Sequence, residues 1–244
     1  MSLIDCRDLS NRMRNYIHDK VMMTGIVPTI AIIKVGDDPA ANTYLRNKCK
    51  ACEAAGFRTI IAPLIEESQT EEVISTIYEF ANRDDVNGII VEMPLPSHID
   101  SFAVRNSIPF MKDVDALSIE SIGRLHAGTS IYAPCTPMGI LYILDSLDFK
   151  YDGTQCVMIG RSDIIGKPMA AMLTARNATV TLCHTHTPDI RYYTETADLI
   201  ICAVGKPHFL TADMVSNQAI VIDCGINYVD GELVGDADIK ALLQ

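Results

Sequence analysis

Short apolar runs alternate along this chain with longer stretches whose apolar positions recur every three or four residues. From about Asp5 to Met23, Leu9, Met13, Ile17 and Val21 share one stripe, which predicts a helix ended by Gly25 and Pro28. Thr29–Val35 reads as a strand, and Gly36-Asp37-Asp38-Pro39 as the turn after it. A helix is expected from about Ala40 to Ala55, closed by Gly56. A strand at Thr59–Leu64, a helix at Glu71–Asn82 and a strand at Gly88–Val91 follow. This β-α-β-α-β alternation predicts a parallel sheet covered by helices.

At Met93-Pro94-Leu95-Pro96 the pattern breaks, because proline has no N–H for a central strand. The stretch from Ser97 to Ala133 is mixed and loop-rich. A helix over Thr136–Leu147 is expected, with Thr136 as N-cap and Pro137 at the first helical position. A second alternation then begins: strand Gln155–Ile159, helix Gly166–Ala175, and strands Thr179–Cys183, Leu199–Val204 and Ala219–Cys224. The fold class read from this is α/β, with two three-layer α/β lobes. Their boundary falls between Ala116 and Pro134, and a cleft between them is the expected place for a substrate and a cofactor to meet.

Composition narrows the function classes. The 244 residues are 48% hydrophobic, enough for a sizeable core, and the net charge of −11 argues against a nucleic-acid surface. The start Met1-Ser2-Leu3-Ile4-Asp5 lacks the basic and apolar regions of a signal peptide, and no apolar run reaches the length of a membrane span. The eight cysteines lie mostly in apolar contexts and read as reduced residues of a cytoplasmic protein. Cys49 and Cys52 form a C-x-x-C inside a helical pattern with no second pair nearby, so neither zinc nor redox chemistry is assigned to them.

Candidate chemistry centres on Val157–Met169. An apolar run ends in Gly160, a polar turn follows, and Gly166 opens an apolar helical segment. A strand, a glycine turn and a helix N-terminus together suit a phosphate, which the backbone N–H groups and the helix dipole face. The spacing is G-x-x-x-x-x-G, so the usual dinucleotide fingerprint is only partly met, and an ordinary βα turn stays open as a reading. Tyr44 and Lys48 share a helix face, either as an aromatic platform and an acid/base group or as part of a solvated face. Asp115, after Lys112-Asp113-Val114, could accept paired N–H bonds from a heterocycle or simply lie in a turn. Glu92, His184 and Thr185 follow strands, where α/β proteins place site residues. No third ligand accompanies His184 and His186, so no metal is expected.

These segments, in order, resemble the bifunctional methylenetetrahydrofolate dehydrogenase/cyclohydrolase family. The matching pieces are Val35-Gly36-Asp37-Asp38-Pro39-Ala40, Tyr44-x-x-x-Lys48, Pro94-Leu95-Pro96, Lys112-Asp113-Val114-Asp115 and Pro134-Cys135-Thr136-Pro137. They continue with Gly160-Arg161-Ser162, Gly166-x-Pro168-Met169, Val204-Gly205-Lys206-Pro207 and Ile222-Asp223-Cys224-Gly225-Ile226-Asn227. The resemblance implies a folate-binding catalytic domain over 1–117 and a Rossmann-like NAD(P)-binding domain over 118–244. It implies that Tyr44 stacks on the pterin, that Lys48 is the catalytic lysine with Glu92 beside it, and that Asp115 binds the pterin edge. Gly160, Arg161, Ser162, Ile165, His184, Thr185, Gly205 and Ile226 are the implied binding residues for NADP.

The implied activity is oxidation of 5,10-methylenetetrahydrofolate to the methenyl form and hydrolysis to 10-formyltetrahydrofolate, by a cytoplasmic homodimer with no nucleic-acid or membrane partner. Glu92 stands where the family has Gln, Ala116 where it has Gly, and Ser121 displaces its Asn before Gly123. The family's Pro/Gly-rich loop and last helix would follow Gln244. From that and from Glu92, a weakened or inactive folate- and NADP-binding homologue is the alternative expectation. A different NAD(P)-dependent dehydrogenase on the same scaffold is a third.

Overall fold

A computed structural model describes residues 2–243, apart from the side chain of Ala40. The chain forms two compact units. One is Asp5–Arg124 with Ser130–Tyr132, and the other is the described residues before Asp5, Leu125–Thr129 and the chain from Ala133 onward.

In order the first unit contains α1 (Cys6–Thr24), β1 (Thr29–Val35), α2 (Pro39–Ala54), β2 (Arg58–Leu64), α3 (Thr70–Ala81), β3 (Gly88–Val91), α4 (Ser101–Ser107) and all but the last two residues of α5 (Ile119–His126). It is built on two strands, β1 and β3, that are too uniformly buried to alternate, with a more exposed strand, β2, at one edge. The three strands are parallel in the order β2-β1-β3. Ala31, Ile33, Ile89 and Val91 pack on Val73, Ile77 and Phe80 of α3 and Val104 of α4. Ile32 and Ile90 point the other way, onto Leu45 of α2. Helices on both faces make this a three-layer unit. Local signals set the helix ends. Asp5 and Asp38 accept the backbone N–H of Arg7 and Ala41 at 2.9 and 2.7 Å, and Gly25 closes α1 in the left-handed region at φ +66°.

The second unit contains α6 (Cys135–Ser146), β4 (Gln155–Ile159), α7 (Gly166–Thr174), β5 (Thr179–Cys183), α8 (Arg191–Thr194), β6 (Leu199–Cys202), β7 (Ile220–Asp223), β8 (Asn227–Val229), β9 (Glu232–Val234) and α9 (Ile239–Leu242). β4 to β7 form a parallel sheet in the order β5-β4-β6-β7, and β8 pairs antiparallel with β9. One face of the sheet buries Cys156, Met158, Leu199 and Ile201 under α6 and α7. The other buries Val157, Ile159, Ile200 and Cys202 against Ala197, Leu210 and Ala237.

Two local expectations change, and one element is new. Helix α6 starts at Cys135, with Pro134 as its N-cap and the Pro134 carbonyl accepting from Met138 N. Thr136 therefore sits within the first turn and caps nothing. The stretch from Ser97 to Ala133 holds two short helices, α4 and α5. Asp100 caps α4 by accepting from Phe102 N and Ala103 N, both at 3.0 Å. Each helix is too short to show a period. The β8–β9 hairpin turns at Asp230-Gly231, both with positive φ, +51° and +83°. That is the backbone of a type I′ turn, which favours Asp-Gly.

Candidate functional site

Both sheets share one topological feature. The first strand in sequence pairs on one side with the second and on the other with the third: β2-β1-β3 in one unit, β5-β4-β6 in the other. The connections leave in opposite directions there, and the loops beyond the strands' carboxyl ends part to leave a crevice.

At the β1/β3 edge the chain sets a charged pair. Glu92 directly follows β3, its N–H held by Ile33 O at 2.9 Å. Lys48, on α2, reaches it, with Nζ 2.5 Å from Oε1. Only 21% of the Lys48 side chain and 13% of the Glu92 side chain are exposed. The ammonium also lies 5.1 Å from the ring centroid of Tyr44, one turn earlier on the same helix and itself exposed. Burial pushes the Lys48 pKa down, but the Glu92 hydrogen bond and charge, with Asp115 and Tyr44 adding to them, leave it raised above the ordinary lysine value. The sequence candidates Lys48, Tyr44, Glu92 and Asp115 thus act on one ammonium.

What holds Asp115 was not apparent from sequence. Lys112 donates to Ala81 O and Arg83 O at 2.8 and 2.7 Å, capping the carboxyl end of α3. Asp113 is buried and accepts from Ser118 N at 2.9 Å and Ser121 Oγ at 2.6 Å. In Lys112-Asp113-Val114-Asp115, the first two residues are structural anchors and Asp115 follows them. Ser121, a departure from the family pattern, finds its use here as the donor to Asp113. Ala116, the other departure, adopts φ +53° with no exposure, a left-handed conformation that glycine takes with less strain.

At the β4/β6 edge the site is made of backbone. Gly160 has φ +114°, and a Cβ on it would lie 2.1 Å from Ala203 O, so only glycine lets the turn after β4 close on the loop after β6. A Cβ on Gly166 would lie 2.1 Å from Gly160 O. Ser162 Oγ accepts from Ile165 N at 3.2 Å and Gly166 N at 3.4 Å, tying the turn to the start of α7. Arg161 is exposed beside it and Ile165 is half-buried. His184 and Thr185 follow β5, Gly205 follows β6 and Ile226 follows β7, so all lie along the carboxyl edge of this sheet. Nδ1 of His184 faces His186 N at 3.2 Å, within its own turn. A tight glycine turn, a helix start and an exposed guanidinium suit a dinucleotide phosphate.

The family model for the catalytic domain of tetrahydrofolate dehydrogenase/cyclohydrolase matches residues 4–115, and that for its NAD(P)-binding domain matches residues 134–244. The chain belongs to the tetrahydrofolate dehydrogenase/cyclohydrolase family. The bifunctional protein FolD of Campylobacter hominis is 42% identical over 98% of this chain and 86% of its own length. Among solved structures, the bifunctional enzyme FolD of Campylobacter jejuni superposes with a TM-score of 0.96 at 38% identity, covering 99% of this chain and 88% of that one. The Trypanosoma brucei methylenetetrahydrofolate dehydrogenase-cyclohydrolase (FolD), complexed with NADP cofactor and an inhibitor, superposes at 0.93 with 29% identity over 99% and 86%.

Proposed function

We infer that this protein is an NADP-dependent methylenetetrahydrofolate dehydrogenase and methenyltetrahydrofolate cyclohydrolase of one-carbon metabolism. One observation carries the reading. A single chain matches the catalytic and NAD(P)-binding halves of one family, and nearly its whole length superposes on FolD structures. A hydride leaves the methylene carbon bridging N5 and N10 of the folate. NADP, when bound, accepts that hydride. The methenyl cation left on the folate then takes up water, loses a proton and opens to the 10-formyl product.

The residues divide that work. Tyr44 offers a ring face on which a pterin can stack, next to the Lys48 ammonium. Asp115 offers a carboxylate for the donor edge of the pterin. Lys48 is the group to move a proton as the methenyl carbon takes up and releases oxygen, with Glu92 holding its Nζ. Gly160, Ser162 and Arg161 would hold NADP phosphates, with Ile165, His184, Thr185, Gly205 and Ile226 along the same edge. Cys156, Cys183 and Cys202 are thiols buried in the second sheet, which supports a reducing, cytoplasmic setting. A homodimer and a link to purine biosynthesis rest on the resemblance.

The test is direct. With 5,10-methylenetetrahydrofolate and NADP, the purified chain should generate NADPH, followed by near-ultraviolet absorbance, and 10-formyltetrahydrofolate. A chain that releases NADPH while the methenyl compound accumulates and hydrolyses only at its uncatalysed rate would lose the second activity. One that does neither would overturn the assignment.

A further inference from the structure

Asp236 follows β9 and has no solvent exposure. Its Oδ2 accepts from Val204 N at 2.6 Å and Gly205 N at 2.9 Å, and its Oδ1 from Lys206 N and Asn227 Nδ2, both at 2.9 Å. Four donors occupy the four lone-pair sites of one carboxylate. Three of them are consecutive backbone amides converging on one point, the geometry of an anion nest. A second carboxylate secures the first: Asp223, at the end of β7, accepts from Gly225 N, Asp236 N and Ala237 N at 2.8, 3.0 and 2.9 Å. Two glycines make room. A Cβ on Gly225 would lie 2.4 Å from Asp236 Cγ, and one on Gly235 1.8 Å from Asp223 Oδ2.

Beyond Pro207 the loop is tied back by His208 N on Gly235 O at 3.3 Å and Leu210 N on Asp236 O at 3.0 Å. Gly205, Lys206 and Pro207 are exposed, and Gly205 sits at φ +65° with nothing near its Cβ position. Yet the loop continues from Ala203, whose carbonyl the Gly160 turn packs against, so it forms one wall of the β4/β6 crevice.

We propose that Asp236 is a positioning residue for the dinucleotide: it fixes Val204-Gly205-Lys206 as the wall of the cofactor crevice and takes up the amides that would otherwise compete for phosphate. The phosphates are thereby directed to the β4 side, at Gly160, Ser162 and the start of α7. This rests on the reading of the second unit as the NADP site. Asp236 touches no reacting atom, so its removal should act on dinucleotide binding.

The experiment compares the full-length parent with Asp236→Ala, Asp236→Asn and Asn227→Ala. Each is measured for melting temperature, for KM of NADP and of methylenetetrahydrofolate in the dehydrogenase reaction, and for NADPH affinity by fluorescence titration. Asp236→Ala should raise the KM of NADP by about 10–100-fold, the range for outer partners that orient a binding group, with a much smaller change in the folate KM. Asp236→Asn and Asn227→Ala should move NADP in the same direction by smaller factors. Asn227→Ala keeps the carboxylate and its three backbone donors, so it serves if the Asp236 variants do not fold. An unchanged NADP KM and NADPH affinity in every variant that folds, whatever its melting temperature, would overturn the proposal and show a purely structural carboxylate. A parent that binds no dinucleotide would instead remove the underlying reading, and the proposal with it.

Discussion

Glu92 holds Lys48 by a 2.5 Å ion pair, with most of both side chains withdrawn from solvent. A neutral amide at position 92 could accept the same hydrogen bond without favouring the charged lysine. The carboxylate does favour it, and Asp115 acts in the same direction. The sign follows from that direction. A lysine raised above its ordinary value stays an ammonium throughout the neutral range, and the stability it contributes is complete below that ordinary value. The contribution is lost only as pH climbs through the raised one. In the role proposed for Lys48, cyclohydrolase turnover needs this lysine to accept a proton, so it should be weak near neutrality and grow on the alkaline side. Hydride transfer, which depends on alignment of the two rings, should depend on pH less.

Glu92→Gln should therefore raise the ratio of cyclohydrolase to dehydrogenase activity near neutral pH and shift the alkaline rise of cyclohydrolase toward lower pH. The remaining groups around Nζ are Asp115, Tyr44 and the Cys52 thiol. Asp115 still favours the ammonium, so the shift should be partial. Both rates measured across a pH series settle the matter, and an unchanged ratio with an unchanged profile would release Lys48 from Glu92's control.

Removing the amine itself is the stronger perturbation. Lys48→Ala should cut cyclohydrolase turnover on the order of 10²–10⁴-fold, the usual contribution of a positioned acid/base group. NADPH affinity, titrated in parallel, should hardly move. Hydrolysis at the parental rate would take Lys48 out of the mechanism.

The strands and the glycine turn were legible because burial leaves its mark on sequence. Thr29–Val35 and Gln155–Ile159 are apolar runs bounded by glycine or proline, and the structure uses them as the strands that begin each sheet. Helix α4 could not be read in the same way: it runs only from Ser101 to Ser107, and Asp100 was its only sharp signal. The hairpin over Asn227–Val234 had a usable signal in Asp230-Gly231 that the apolar pattern did not flag. In the site, Lys48 and Glu92 are separated by 44 positions, and no local pattern joins them. Lys112 and Asp236 were illegible for a similar reason. Their partners are mostly backbone atoms, Ala81 O and Arg83 O for one and the Val204–Lys206 amides for the other, and backbone atoms carry no residue identity.

Arg161 bears on cofactor choice. It is exposed beside the Gly160 turn, and no acidic residue ends β5, where a carboxylate would favour the free ribose hydroxyls of NAD. NADP should bind more tightly than NAD, and Arg161→Ala should erase most of the difference, a loss of roughly 1.5–3 kcal/mol for a charge-assisted bond. Parallel titrations of parent and variant with the two dinucleotides measure it. Equal affinities in the parent would rule the preference out.

Two glycines on the same edge separate backbone strain from steric conflict. Gly205 has φ +65° but open space around its Cβ position, so Gly205→Ala meets only the left-handed penalty, about 1–2 kcal/mol. Gly160 has φ +114°, and its Cβ would meet the Ala203 carbonyl oxygen at 2.1 Å and the carbonyl carbon at 2.9 Å. Neither atom can rotate away as a side chain would, because Ala203 N also donates to Ile159 O at 2.8 Å, extending the β4–β6 pairing. Gly160→Ala therefore adds a forced parting of the two loops to the conformational penalty, for a total of about 3 kcal/mol or more. Denaturant unfolding should show Gly160→Ala clearly less stable than Gly205→Ala, and its NADPH affinity should fall even under conditions where it is fully folded. Equal destabilisation by the two substitutions would mean that the turn after β4 yields easily, and would remove the close approach of the β4 and β6 loops as the reason for glycine at position 160.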